Sequence, residues 1–309
     1  MLAVDSRLRK QPTQARSRLT VDAFLEAADR VLRRDGYEAA STNRLARVAG
    51  FSVGSLYQYF DDKQAVVGTL IDRELRQEAR DLIPVVEAAA SEWATLLRSA
   101  LAFAFERRTA QRHLYETLIR YPGDFGGRDA LAYARRVQAP LAGEAIQRAV
   151  APHLVWAADG TVEPALTVGC RLANAVSCWF AVEAPAHVPA ERMVETLARV
   201  IEAYAERRVA PSAGSLARVA QWRADACDAD GHAAHRMCRL QELRAQLLGC
   251  GIPEPQGLEA ALRIGSSVDA LVHEFSAEPP GRHSHDCLAT ECARVLDALE
   301  RASAASAAR

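Results

Sequence analysis

Two groups of residues in this chain have the types and spacing to do chemistry. Thr42, Arg44, Ser52, Ser55, Tyr57, Gln58, Tyr59 and Lys63 crowd hydrogen-bonding and cationic groups into one short stretch. Gln58 can bond an adenine edge bidentately and Ser55 is a tolerant reader of base edges. Arg44 could reach a base or a phosphate, and Thr42, at a helix start, a phosphate. The chemistry is recognition. The second group is Cys227-x4-His232-x2-His235-x2-Cys238 with His283-x-His285-Asp286-Cys287-x4-Cys292. Thiolate and imidazole ligands suit Zn²⁺ or another borderline-soft metal. On one straight helix Cys227 and Cys238 would be roughly 16 Å apart, too far to share an ion. A turn at Asp228–Gly231 could fold Cys227 back, and His235 and Cys238 share a helical face. Neither spacing matches a zinc module, so a redox site or plain packing are rival readings. If Ser284 caps the last helix, Cys287 lies in its first turn, where the helix dipole favours a thiolate. No catalytic constellation stands out: the Ser, His and Asp letters lack a nucleophile elbow, and Gly249-Cys250-Gly251 is too short for a phosphate loop. No enzyme is expected.

The recognition group needs two short helices to hold it. Ser41 or Thr42 can cap the first, whose apolar stripe is Leu45, Val48 and Ala49. Gly50 suits the left-handed residue that ends a helix. Ser52 caps the second, with Leu56 and Phe60 inward and Ser55, Tyr57, Gln58 and Tyr59 on the other face. Two helices joined by such a turn fit the helix-turn-helix geometry that enters a major groove.

The run Thr42-x3-Leu45-Ala46-x2-Ala49-Gly50-x-Ser52-x-Gly54-Ser55-Leu56-Tyr57-x-Tyr59-Phe60-x2-Lys63 resembles the DNA-binding signature of TetR-type transcriptional regulators. The resemblance is close over residues 14 to 72; to about residue 208 the chain is similar only in length and helical pattern. It implies that Tyr57, Tyr59 and Lys63 contact phosphates. It also implies a homodimer on a near-palindromic operator, and a small-molecule effector that shifts the dimer between DNA-binding and released states.

Composition is compatible with that reading. Half of the residues are apolar and a quarter charged, enough for a sizeable core in a globular protein. The net charge of −1 hides a basic cluster at the start, Arg7, Arg9, Lys10, Arg16 and Arg18. Ahead of a helix-turn-helix, that cluster is expected to be a flexible arm touching phosphates or a minor groove. Seven cysteines show no paired framework, so thiols, ligands or redox sites are expected in a reducing cytoplasm. No apolar run is read as approaching the roughly 20 residues of a membrane span, and the opening residues lack the apolar stretch of a secretory signal.

The helical periodicity predicts an all-α chain throughout. Residues 1–18 form the basic arm, 19–72 the DNA-binding domain, 73–210 an effector-binding and dimerisation domain, and 215–309 a Cys/His-rich extension. Helices are predicted over 20–35, 63–90 with a kink at Pro84, 92–109, 111–120, 128–150, 164–183 and 189–208. The 164–183 segment is apolar all round, so it must be buried on more than one side. Paired with 189–208 from each of two subunits it would make a four-helix bundle, and residues 1–210 are expected to suffice for dimerisation and DNA binding. An effector pocket is expected from Trp93, Phe103, Phe105, Tyr115, Phe125, Trp156 and Trp179, with His113 and Asn174 as polar fixers. Its apolar bias suggests a hydrophobic or aromatic ligand. The extension, after a linker at Pro211–Gly214, reads as helical pieces over 215–227, 231–248, 256–275 and 284–305. It has no Lys, ten Arg and thirteen Asp or Glu, so it is a poor DNA ligand. The reading is a ligand-responsive homodimeric repressor. The rival reading makes the DNA unit an anchor for a metal-sensing, redox-sensing or enzymatic extension.

Overall fold

The computed structural model describes residues 7–125, 130–153, 162–183, 188–206, 210–226, 255–277 and 284–307. Among these the fold is all-α, with no strand. The helices are α1 (Ala15–Asp35), α2 (Thr42–Ala49), α3 (Val53–Tyr57), α4 (Lys63–Ala88), α5 (Trp93–Ala110) and α6 (Arg112–Arg120). They continue with α7 (Ala130–Val150), α8 (Val162–Glu183), α9 (Ala190–Glu206), α10 (Ala213–Ala226), α11 (Pro255–Ala277) and α12 (His285–Ala307). Short 3₁₀ turns follow α6 and α7. The chain divides into two compact units, Met1–Pro84 with Arg107–Glu144, and Val85–Glu106 with Ala145–Arg309.

The first unit is organised by local stop and start signals. Ser17 and Gln14 bond reciprocally where α1 begins, and Gly36, at φ 77°, ends it. The Ser41 hydroxyl accepts from the Arg44 N–H at 3.3 Å and Gly50 closes α2 at φ 80°, so the expected cap and left-handed stop are both present. Ser52 accepts from the Ser55 N–H at 3.1 Å, and Asp62 caps α4 through the Ala65 N–H at 2.7 Å. Phe24, Leu45, Leu56 and Phe60 are fully buried. Phe24 meets Phe60 edge to face at 6.2 Å and Phe51 at 5.4 Å, a geometry that adds about 0.5–1.5 kcal/mol per aromatic pair beyond area burial. Helix α4 runs on through Pro84.

The second unit is a bundle. Helix α8 packs with α9, and both are covered by α11 and α12, with α10 against α11 and α12. Leu172, Val176, Met193, Leu197, Val268 and Leu296 share one core. Trp222 of α10 is buried in it, and Arg263 lies over the Trp179 ring at 4.4 Å. Two observations bear on the expectations. First, helices α11 and α12 of the same chain pack on α8 and α9, the pair expected to meet across subunits. Apolar faces are buried by whatever covers them at the highest effective concentration, and a tethered segment outcompetes a second molecule. Second, Pro164–Glu183 is a 20-residue window with mean hydropathy 1.4, long and apolar enough by composition to cross a membrane. Half of that window is buried in the bundle, where Ala165, Val168, Leu172 and Val176 join the core. The linker is docked as well: Ser212 caps α10 and, with Ser215, donates to Asp297 of α12 at 2.7–2.8 Å. Those hydroxyl and amide donors outweigh burial and hold the Asp297 carboxyl below its usual range.

Candidate nucleic-acid interface

Helix α3 presents Tyr57 and Gln58 to solvent, and Tyr57 is 43% exposed. Ser55 and Tyr59 are half-buried beside them. The helix ends at Tyr57, shorter than expected, but Leu56 on it and Phe60 after the turn beyond it are fully buried, so the segment has one inward and one outward side. Thr42, at the start of α2, shares a hydrogen bond of 3.2 Å with the Tyr57 hydroxyl, which joins the two helices' outer surfaces. Asn43 and Arg47, on exposed turns of α2, extend that surface. Sequence reasoning missed both; their spacing of four residues on a helix beside the reading helix was the available signal.

Other members are committed to protein partners. Ser52 is spent on capping and shares a 2.9 Å contact with the Ser55 hydroxyl. The Arg44 guanidinium pairs with Asp35 at 2.5 Å and donates to the Ala39 carbonyl. Lys63 lies over the Tyr37 ring at 4.1 Å, and a hydrogen bond to Asp124 of 2.6 Å, with burial, raises the Tyr37 hydroxyl's pKa.

The basic arm departs from expectation. Arg7 is held by the body of the unit: it pairs with Asp72 at 3.5 Å and donates to the Tyr133 hydroxyl and the Phe125 carbonyl, both at 2.9 Å. Tyr133 in turn donates to Asp72. The reason is electrostatic, since a nearly buried carboxylate on α4 needs a countercharge. Gly68 leaves the space: a Cβ there would come within 2.8 Å of the Arg7 Nη1. Arg9 runs along α3 and α4, its N–H donating to the Tyr59 carbonyl at 2.9 Å and its side chain pairing with Asp61 at 3.1 Å. Arg9, Lys10, Arg16 and Arg18 are exposed, the last two on α1.

The expected effector residues do not converge. Tyr115 alone among them lines a cavity at α4, α5 and α6, with Ile71, Leu75, Glu78, Arg107 and Leu114. At about 10 Å³ the cavity holds one water. Beside it the buried pair Arg108–Glu78 (3.1 Å) is completed by the Tyr115 hydroxyl. His113 bonds Asp29 at 2.8 Å. Trp93 stacks on His153 at 5.6 Å, Phe105 is core, and Phe103 and Asn174 are half-buried. Phe125 is buried against Tyr37, and Trp179 is packed under Arg263. Trp156 lies outside the described residues.

Of the candidate metal ligands, Cys227, His232, His235, Cys238 and His283 lie outside the described residues. Among those described, no three His, Cys, Asp or Glu side chains gather to hold an ion. Cys292 is fully buried in the bundle, and His285 and Cys287 are half-buried. Ser284 does cap α12, accepting from the Cys287 N–H at 3.2 Å. Burial, and then the Glu291 carboxylate, push the Cys287 thiol up, against the expected effect of its place in the first turn.

Residues 24–70 match the sequence profile of bacterial regulatory proteins of the tetR family. Two proteins described as uncharacterized HTH-type transcriptional regulators, from two strains of Mycobacterium tuberculosis, are each 32% identical over 68 residues. That stretch is 22% of this chain and 34% of theirs, so the chain matches about a third of the length of these relatives. No solved structure matches significantly. The match falls on α1 to α4, where the two caps, the left-handed glycine and the exposed face of α3 were found. Residues 24–70 thus combine a helix-turn-helix geometry with the sequence profile of the tetR family.

Proposed function

We propose that this protein is a sequence-specific transcriptional regulator that inserts α3 into the major groove of duplex DNA and acts as a ligand-released repressor in the cytoplasm. The observation that carries this is the two-faced α3: Leu56 and Phe60 anchor it while Tyr57 and Gln58 stand in solvent. Gln58 and Ser55 are assigned to base edges. Tyr57, Tyr59, Lys63, Thr42 and Arg47 are assigned to phosphates. Arg44 can add a contact only by leaving Asp35. The effector is assigned to the cavity between α4, α5 and α6, whose walls combine leucines and isoleucine with the Tyr115 hydroxyl and the Glu78 carboxylate. That composition favours a largely apolar or aromatic molecule with one polar group, and the cavity must open to admit it.

Genome-wide mapping of bound sites, followed by titration of the recovered sequence against a scrambled duplex, tests the reading. Preference of a hundredfold or more for the recovered site is expected. Equal affinity for both duplexes would reject it. The family resemblance implies two reading units on a near-palindromic operator. The covered α8–α9 surface favours a second reading, one reading unit per particle.

A further inference from the structure

The helices that cover α8 and α9 are built like them. Ala198-Arg199-Val200-Ile201-Glu202-Ala203 of α9 aligns with Ala293-Arg294-Val295-Leu296-Asp297-Ala298 of α12. Both helices start at the same phase of that alignment, at Ala190 and His285. Burial follows the same phase: Met193 pairs with Leu288, Leu197 with Cys292 and Val200 with Val295, all buried. On the preceding helices Arg171, Leu172 and Val176 of α8 align with Arg263, Ile264 and Val268 of α11, again with matching burial at the two apolar positions. The two helix pairs are therefore alike in order and in the buried face of their second helices, although α9 has 17 residues and α12 has 23. Each helix of one packs against both helices of the other. That is the arrangement two copies of one hairpin would make about a two-fold axis.

Among the positions that differ, one places a carboxylate in the core. Thr196 is half-buried, but its counterpart Glu291 is 1% exposed. Glu291 accepts a hydrogen bond of 2.5 Å from the Tyr204 hydroxyl of α9, and Arg294 pairs with it. A pair of α8–α9 hairpins would offer Tyr204 a threonine in place of that carboxylate. A pair of α11–α12 hairpins would bury Glu291 opposite Leu299, the counterpart of Tyr204. Leaving a buried carboxylate without its donor is costly, so the mixed pairing is favoured over a pair of α11–α12 hairpins, and it gives Tyr204 a charged acceptor that a pair of α8–α9 hairpins lacks.

We propose that α11 and α12 are a second, diverged copy of α8 and α9 that occupies, within one chain, the position a second molecule would take. The full chain is then a one-headed particle, with one DNA-reading unit for each closed bundle. This deepens the second reading of the proposed function and rests on the bundle alone.

Sedimentation equilibrium of the full chain without DNA, from about 1 to about 50 µM, decides the first half. A mass of 33.6 kDa at every concentration is expected; a stable species of twice that mass overturns the proposal. A protease site placed in the full chain between Ala226 and Pro255 decides the second. After cutting, the carboxy-terminal fragment should stay bound at unchanged mass, and Glu291→Thr should weaken its hold at least tenfold. Release of the fragment from a body that self-associates also supports the proposal, because it shows a pairing face that the tether keeps covered. Release from a body that remains monomeric overturns it. The mass is read without DNA, so failure here leaves the DNA-reading assignment standing, and a failure of sequence preference leaves the bundle standing.

Discussion

At Gln58 and Lys63 the same short segment divides its labour between sequence and affinity. Gln58→Ala is expected to narrow the gap between operator and random DNA by about 1–3 kcal/mol if it reads a base bidentately. Tyr59→Ala or Lys63→Ala should weaken binding to all duplexes alike and flatten the salt dependence by about one unit of slope. Titration of both duplexes at several salt concentrations checks both, and exchanged effects would show that the face assignments are reversed. His113 gives a different signal. Burial lowers its pKa against the pull of the Asp29 hydrogen bond, so the folded chain holds it neutral. The unfolded chain takes a proton near pH 6.5, which means acidification favours the unfolded state. Stability should fall as the pH drops from about 7.5 to about 5.5, and His113→Gln should flatten that slope in thermal melts. Asp29 does not interfere in this window. Burial opposes its ionisation, but hydrogen bonds from Arg33 and His113 prevail and hold its pKa below 3.8, so its contribution is lost only in stronger acid.

Helix α4 shows how an element can be legible in its ends and illegible in its partners. Asp62 and the apolar spacing announce the helix, and the neighbouring caps Ser41 and Ser52 and the stop at Gly50 are equally local, so the helix-turn-helix could be read directly. The ion pair that α4 makes with Arg7 could not, because Asp72 and Tyr133 lie far away in sequence and a cationic run looks the same whether it is solvated or docked. Gly68 tests this docking. An alanine inside a helix is ordinarily better than glycine by roughly 1 kcal/mol. Here the new Cβ must displace the Arg7 guanidinium from Asp72 and Tyr133. Gly68→Ala is therefore expected to gain nothing in the natural background and to gain about 0.5–1 kcal/mol when Arg7 is already alanine. Denaturant melts of the four proteins close the cycle, and additive effects would show that the arm is not seated on α4. The outward tyrosine and glutamine of α3 were legible because they are what the buried Leu56 and Phe60 leave over. The effector lining was not, since any half-apolar helical chain supplies scattered aromatics and only packing decides which of them meet.

The whole chain adds a cover to α8 that was not expected. That the helix is apolar all round told correctly that it is covered on several sides; the identity of the cover was hidden in a tail whose likeness to α8–α9 is spread thinly over two helices. The proposal that α11 and α12 take a second molecule's place requires that DNA be bound by single reading units. A titration on an operator with one half-site should show a stoichiometry of one chain per duplex and no cooperativity, and a Hill coefficient near 2 on that duplex would contradict it. The buried Tyr204–Glu291 bond also carries a genetic consequence. In a paired regulator, a copy that assembles normally but cannot read DNA captures healthy copies in mixed particles, and such an allele is dominant. A chain that finds its partner in its own tail makes no mixed particles. A cell carrying both the natural gene and a variant with Tyr57, Gln58 and Tyr59 all replaced by alanine should therefore regulate its targets as though the defective copy were absent. Expressing that variant in tenfold excess over the natural protein, with a target promoter as reporter, checks this: unchanged regulation is expected, and loss of regulation would mean that the chains do exchange partners.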